Sequence, residues 1–457
     1  MQGLGSRLRG LFRTSRKGRK RRIVIVTPPS SYSQHHPVVP MMPLGPTYVA
    51  ASLEEADYEV RIVDLTFVFQ QSFDVRAVRK AVLGLEPDVV GLSAFTSTIP
   101  SAYKLATAIE EETKEVPMII GGPHTSALPQ RTLEECPAFD AAIVGEGEYT
   151  FRDILHLFTC EEMPKDFSKI RGVLIRHGSS FLGDPNPVYV DSLDTLPFPA
   201  RHLLDMGMYI RHSYNEKAKK YPIATIVTSR GCPHSCLFCA RSNSGKRYRS
   251  RSPRNVVQEL DLLRKYGFNE VQIVDDNFTA EKQRVLELCR LIRAEGLDMS
   301  FALPNGIRAD SVNEEVLSEM YTSGFYSIAF GVESGDDGVL KATRKGITAA
   351  QIMEAVRTAK KIGFYVSLFA IIGLPGSTME SEERTLRLIR ESGADSATAS
   401  VCTPYPGSPL WDQVHDRLTD VSWERYNESD VSNPIYLPDG LTPEQVQLWL
   451  KEAEKTA

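Results

Sequence analysis

Thr228-Ser229-Arg230-Gly231-Cys232-Pro233-His234-Ser235-Cys236-Leu237-Phe238-Cys239 sets three cysteines at C-x3-C-x2-C directly after the β-branched run Ile223-Ala224-Thr225-Ile226-Val227. The run reads as a buried strand, and the cysteines as the loop leaving its carboxyl end. Spacings of three and two let thiolates from one short segment converge on a small inorganic cube. The loop is therefore a candidate iron–sulfur site with Cys232, Cys236 and Cys239 as ligands. Three ligands leave one iron of a four-iron cube without a protein donor, and such an iron can bind and reduce a small molecule. A structural zinc site normally takes four protein ligands, and the fourth would have to come from His234 or a distant residue.

Downstream, strands are expected at 223–227, Val271–Val274, Met299–Ala302, Tyr326–Phe330, Tyr365–Ile371 and Ser396–Val401, each but the last followed by a helical segment. Six such units imply a partial (β/α)6 barrel, in which reactive groups gather at the carboxyl ends of the strands. Polar features fall there. Asp275-Asp276-Asn277 follow the second strand, Arg308 and Asp310 the third, Glu333 the fourth, and Gly373-Leu374-Pro375-Gly376 with Glu380 the fifth. Cys402, after the sixth, reads as a buried inert thiol. Leu441–Lys455 reads as a helical tail capped by Thr442, with Pro443 at its first position.

Upstream the same rhythm is present. Ile23-Val24-Ile25-Val26 reads as a buried strand followed by a loop from Ser30 to Met42. Helices are expected at Leu44–Ala56, around Val75–Leu83 and at Tyr103–Glu112, and strands at Tyr58–Asp64, 88–93, 118–120 and 141–144, with a helix running on to about Phe158. This pattern implies a flavodoxin-like, doubly wound parallel sheet that binds ligands beyond its carboxyl ends. Gly121, Gly122, Gly145 and Gly147 stand at those ends, where backbone turns sharply or approaches a ligand closely. Val173-Leu174-Ile175-Arg176 and Pro187-Val188-Tyr189-Val190 read as a hairpin, and Leu193 to Leu204 as a linker. His35 and His36 read as solvated loop residues.

The α/β chain thus divides into a basic tail (1–22), the doubly wound domain (23–165), a hairpin and linker (166–215), the partial barrel (216–420) and a C-terminal extension (421–457). At 42% hydrophobic, 24% charged and net charge −5, composition is that of a globular protein with no call for nucleic acid. No apolar run approaches the roughly 20 residues of a membrane span, and no signal-peptide core is present. Cys136, Cys160, Cys289 and Cys402 lack metal-like spacing, so no second cluster is expected, and the cysteine usage suits a reducing cytoplasm. Residues 1–22 carry nine Lys or Arg and no acid, with Leu4, Leu8, Leu11 and Phe12 on one helical face. They read either as a solvated tail or as a basic amphipathic helix in peripheral contact with an anionic membrane.

With an aromatic, Phe238, before its last cysteine, the C-x3-C-x2-C loop resembles the signature of radical S-adenosylmethionine (SAM) enzymes. Pro28-Pro29, Pro43-Leu44-Gly45, Gly121-Gly122-Pro123-His124 and Gly145-Glu146-Gly147-Glu148 extend the resemblance to the cobalamin-dependent class with an N-terminal B12 domain. The resemblance implies a [4Fe-4S] cluster whose free iron chelates SAM, and reductive cleavage to a 5′-deoxyadenosyl radical. It further implies SAM contacts at Phe238, Asp276, Arg308, Glu333, Gly373 and Glu380, with Arg308 either on the SAM carboxylate or holding Glu333. Cobalamin contacts are implied at Ser93, Gly121, Gly122, Gly145 and Glu146. The D-x-H-x-x-G motif that places a histidine on cobalt is absent, since His35, His36 and His124 lack its context.

The expected activity is methylation of an unactivated carbon of a small-molecule or lipid substrate, with a ferredoxin or flavodoxin as low-potential electron donor. Non-methylating radical chemistry, such as oxidative cyclisation, rearrangement or C–C coupling, is the alternative. Methylthiolation would require a second cysteine set. A non-catalytic cobalamin or iron–sulfur sensor would not need a SAM-suited residue at every strand end.

Overall fold

A computed structural model of the chain describes residues 19–29, 41–68, 70–159, 170–212, 217–241, 244–418, 422–426 and 434–455. The tail leucines with Phe12, the pair His35-His36, and Cys160 lie outside the described residues. The chain forms two compact units. One is built from the described residues up to Asp191 with Thr195–Met206 and Arg241–Gly245, and the other from Ser192–Asp194, Gly207–Ala240 and residues from Lys246 onward.

The first unit is a seven-stranded sheet in the order β2-β1-β3-β4-β5-β6-β7. Strands β1 (Arg22–Thr27), β2 (Glu59–Asp64), β3 (Val89–Ser93), β4 (Met118–Gly121) and β5 (Ala141–Ile143) are parallel. Ile23, Val24, Val26, Val89 and Val90 are wholly buried, as strands covered on both faces by crossover helices must be. The order reverses between β1 and β3, which puts the ligand-accepting crevice beyond their carboxyl ends.

The hairpin differs from the sequence expectation. β6 (Val173–His177) runs antiparallel to β5 and turns at Gly178 directly into a three-residue partner, β7 (Ser180–Leu182), which is antiparallel to β6. Pro187–Val190 is not that partner. Val188 instead bridges to Gly145 beyond β5. Gly145 has φ 86°, and a Cβ there would lie 2.6 Å from the Val188 carbonyl oxygen. Only glycine meets both demands.

The second unit is a six-stranded sheet: β8 (Ile223–Ile226), β11 (Glu270–Ile273), β12 (Ser300–Ile307), β13 (Phe325–Glu333), β14 (Tyr365–Ile372) and β15 (Ser396–Val401). Each pairs in parallel with the next, the connectivity of a partial barrel. Between β8 and β11, a two-residue antiparallel ribbon, β9 (Ser229–Arg230) with β10 (Arg249–Ser250), ties the neck of the cysteine loop.

The intervening helices start where their caps dictate. Thr348 and Thr378 make capping boxes with Gln351 and Ser381, and Gly363 and Gly393 end those two helices in the left-handed conformation. Below the ribbon, the buried Arg251 pairs with Glu259 and donates to the Val227 carbonyl at 3.0 Å. The final helix, Pro443–Lys455, is capped as expected, with Thr442 and Gln445 bonded reciprocally.

Gly145→Ala is expected to destabilise the first unit by about 2 kcal/mol or more. Thermal unfolding should show a fall of several degrees in Tm; an unchanged Tm contradicts the crossing at Val188.

Candidate functional site

The cysteine loop is positioned from below by the end of β11. Asp275 is buried, and its Oδ1 accepts the Thr228 N–H at 2.6 Å, while Oδ2 accepts the Thr228 hydroxyl at 2.5 Å and the Ser229 hydroxyl at 2.6 Å. Burial pushes this carboxyl above its usual range, against the pull of Arg284 and the three donors. Arg284 also donates to the Thr228 carbonyl at 2.8 Å. Asp276 faces the other way in an exposed position, and its Oδ2 accepts the N–H of Gly231 at 2.8 Å, just before Cys232. Alternation along an extended chain thus gives two adjacent carboxylates two anchoring points on one loop.

The far end of the loop is fastened by its backbone. Leu237 N–H donates to the Thr343 carbonyl at 2.8 Å, and Leu237 C=O accepts from Leu410 N–H at 2.8 Å. Leu237 and Phe238 pack with Val339, Leu374, Cys402 and Leu410, so the aromatic before the last cysteine anchors the loop in the core. Cys236 is buried, whereas Cys232 and Cys239 are half-buried. Burial pushes the Cys236 thiol up; the charges of Lys345 and Arg308 oppose this, and those of Glu333 and Cys232 add to it. Charged groups from the ends of β12 and β13 therefore act directly on the loop.

Glu333 ends β13 and is held by Lys345 Nζ at 2.7 Å, with both side chains buried. Lys345 is the partner that sequence reasoning missed; it sits in a loop between exposed Arg344 and Gly346, where no periodicity marks it. Arg308 does not hold Glu333. Its guanidinium forks onto Asp310 at 2.9 Å through Nε and Nη2, and Nη1 donates to the Lys345 carbonyl at 2.7 Å. Burial works to raise the Asp310 carboxyl, but Arg308 and His234 outweigh it and hold it below the usual range.

At the end of β14, Gly373 N–H donates to Glu382 Oε1 at 2.9 Å. Glu380, the residue expected there, lies exposed in the first turn of the helix Met379–Ser392 and is not brought to Gly373. With Thr378 as N-cap, Glu382 falls on the buried face with Ser381 and Thr385. Cys402 is buried, and burial pushes its thiol to about 12, the inert state expected.

In the first unit, Ser93 and Gly121 end β3 and β4, and Ala94 N–H donates to the Gly121 carbonyl at 3.1 Å. A Cβ on Gly122, whose φ is 99°, would lie 2.7 Å from the Ala94 carbonyl oxygen and 3.0 Å from the Ser93 hydroxyl. His124 is fully buried, with Nδ1 3.2 Å from the Thr96 hydroxyl, and burial aided by Arg131 pushes it down to about 3. Burial thus favours its neutral form. Glu146 is also drawn inward, where Oε2 accepts the Val190 N–H at 2.6 Å and holds the strand-like segment that crosses Gly145.

These donors fit the implied groups. Among the described residues no three His, Cys, Asp or Glu side chains converge as one metal ion requires. Cys232, Cys236 and Cys239 lie on one loop pinned at both ends, with the charges of Lys345 and Arg308 acting on Cys236, and thiolates are the donors a cuboidal cluster takes. Beyond β3 and β4 the small residues leave no side chain rising from Gly121 or Gly122, and neighbouring Phe95 is 63% exposed, as an extended flat ligand needs. No described helix is long and apolar enough to cross a membrane.

Residues 226–389 match the Radical SAM superfamily model, and residues 36–155 the B12 binding domain model. The chain is 32% identical over 437 residues to an uncharacterized methyltransferase of Pyrococcus horikoshii, covering 94% of this chain and 91% of the relative. It is 25% identical to the anaerobic magnesium-protoporphyrin IX monomethyl ester cyclase of Rubrivivax gelatinosus, covering 87% and 70%. Among solved structures it is similar to the radical SAM methyltransferase TsrM of Kitasatospora setae, with cobalamin and a [4Fe-4S] cluster bound. The TM-score is 0.71 at 18% identity, over 95% of this chain and 85% of that one.

Asp275→Asn removes the charge that three donors share and should lower stability by about 2–3 kcal/mol; iron and sulfide analysis after reconstitution should show incomplete loading, and full loading contradicts the anchoring role. His124 gives a pH prediction. Its folded value lies below its ordinary 6.5, so only the unfolded chain takes up a proton between pH 6.5 and 3. Stability is lost as pH falls through that window, by up to about 1.4 kcal/mol per unit. Denaturant titrations should show a shallower pH slope in His124→Gln.

Proposed function

The chain belongs to the radical SAM superfamily, in the cobalamin-dependent class with an N-terminal B12 binding domain, and from that premise we propose that it methylates an unactivated carbon of a small molecule. The observation that carries this reading is the fastening of the Cys232–Cys239 loop by Asp275, Asp276 and Thr343 beside the strand-end set Arg308, Glu333 and Lys345. When bound, a [4Fe-4S] cluster with one iron free supplies reductive cleavage of SAM, and cobalamin supplies the methyl carrier.

The chain's own residues bind and orient. Cys232, Cys236 and Cys239 hold the cluster. Asp276 and Glu333 offer carboxylate oxygens to the SAM ammonium group, and the backbone at Gly373 lies against adenine. Arg308 is committed to Asp310 and the Lys345 carbonyl, so it serves SAM as a fixed positive charge. Phe238 and Leu237 close the loop on the core and exclude water. Ser93, Gly121 and Gly122 receive the corrinoid; Gly145 and Glu146 shape the next loop. A ferredoxin or flavodoxin supplies low-potential electrons in the cytoplasm. The basic charge that precedes β1 suits an anionic membrane surface, which keeps a lipid among the small-molecule substrates, although Arg19, Lys20 and Arg22 are paired with Glu86, Asp88, Asp57 and Glu59 of the first unit.

A second reading, oxidative cyclisation or a related non-methylating reaction on the same architecture, is favoured by the likeness to the cyclase.

Anaerobic reconstitution with iron, sulfide and hydroxocobalamin tests the proposal. Dithionite and SAM should yield 5′-deoxyadenosine, and a product heavier by one CH2 unit when substrate is supplied. Cys232→Ala, Cys236→Ala and Cys239→Ala should each abolish both. Stoichiometric corrinoid with a product lacking the added mass favours cyclisation; protein that retains no corrinoid and forms no methylated product overturns the leading reading.

A further inference from the structure

We propose that Lys345 is a positioning residue for SAM: its ammonium presets the Glu333 carboxylate on β13, its carbonyl holds Arg308 after β12, and the segment it shares with Thr343 joins both to the cysteine loop. The inference rests on the reading that Glu333 receives the SAM ammonium group.

Glu333 is set up by an irregular strand. Gly331 pairs with Phe369 and Glu333 with Ala370, so two steps on β13 oppose one on β14. Such a bulge re-aims a side chain next to a functional site. Glu333 also takes φ 61°, a conformation that a non-glycine residue keeps only where its surroundings hold it. Lys345 is what holds it, at 2.7 Å on Oε1. A Cβ at Gly331 would lie 2.6 Å from Glu333 Oε1 and 3.0 Å from Lys345 Nζ, so the ion pair lies across the bare backbone of the strand. Among the described residues no donor is bonded to Oε2, which leaves one carboxylate oxygen with its acceptor capacity intact.

The segment around Lys345 reaches three elements. The Thr343 carbonyl accepts from Leu237 in the cysteine loop, the Lys345 carbonyl accepts from Arg308 after β12, and Lys345 Nζ donates to Glu333 on β13. The turn is braced by Lys345 N–H donating to the Leu340 carbonyl at 2.9 Å. A shift of this segment therefore moves the acceptor carboxylate and the cysteine loop together.

The experiment measures SAM dissociation constants for anaerobically reconstituted protein without reductant, together with the change that SAM causes in the EPR spectrum of the reduced cluster. Lys345→Met and Glu333→Gln should each raise the dissociation constant at least tenfold and blunt the spectral change. The double variant should bind no more weakly than Glu333→Gln alone, because Lys345 acts through Glu333. Lys345→Arg should recover part of the loss. If Glu333→Gln binds SAM as tightly as the parent, the reading of Glu333 fails and the inference with it. If Glu333→Gln is weak while Lys345→Met binds normally, only the inference is overturned. If Lys345→Met retains no iron, the double variant and Lys345→Arg decide: a double variant that holds iron and binds SAM no more weakly than Glu333→Gln, with partial recovery in Lys345→Arg, supports the proposal, and weaker binding or lack of iron in the double variant overturns it.

Discussion

The buried carboxylate of Asp275 governs the second unit. It sits at the end of β11 yet spends its oxygens on Thr228 and Ser229, which follow β8. A carboxylate so buried is tolerated only when its oxygens are hydrogen-bonded. That requirement couples two adjacent strands to one loop and makes the position of Cys232 a property of the sheet. Asp276 adds its bond to Gly231, and Thr343 fixes the other end at Leu237.

The strand-end chemistry is assembled in the same way, by residues whose first duty is to each other. Arg308 meets Asp310, Lys345 meets Glu333, and Gly373 meets Glu382. These pairs leave fixed charges and selected open acceptor atoms at one edge of the sheet. Preorganisation of this kind suits chemistry that a cofactor performs and a protein must orient. In the first unit the same economy holds. His124 and Glu146 are consumed internally, and small residues at Gly121 and Gly122 keep the carboxyl edge of the sheet low.

Much of this was legible in the amino-acid order. Runs such as Ile23–Val26 and Ile223–Val227 are rich in β-branched residues and carry no charge, which specifies buried parallel strands, and capping residues such as Thr348 and Thr442 mark helix starts. The cysteine spacing gave the loop and its chemistry. What could not be read depends on direction and on distant partners. The hairpin was mispaired because β7 has only three residues after a tight turn at Gly178, while Pro187–Val190 has the stronger β-forming composition. Glu380 and Glu382 differ by two residues on one helix, and only the position of its cap shows which faces inward. Lys345 looks like one more surface cation beside Lys341 and Arg344 until the bulge in β13 is seen. Nor does the sequence show that Glu146, an expected ligand contact, also accepts the Val190 N–H within its own unit.

All of the proposed chemistry requires that three cysteine thiolates leave one iron open to SAM. Electron–nuclear double resonance on the reduced, reconstituted protein with SAM labelled by 15N in its amino group and 17O in its carboxylate addresses this directly. Hyperfine coupling from both labels to the cluster is the predicted result. A cluster that shows neither coupling, or cysteines that retain zinc in place of iron, would contradict it.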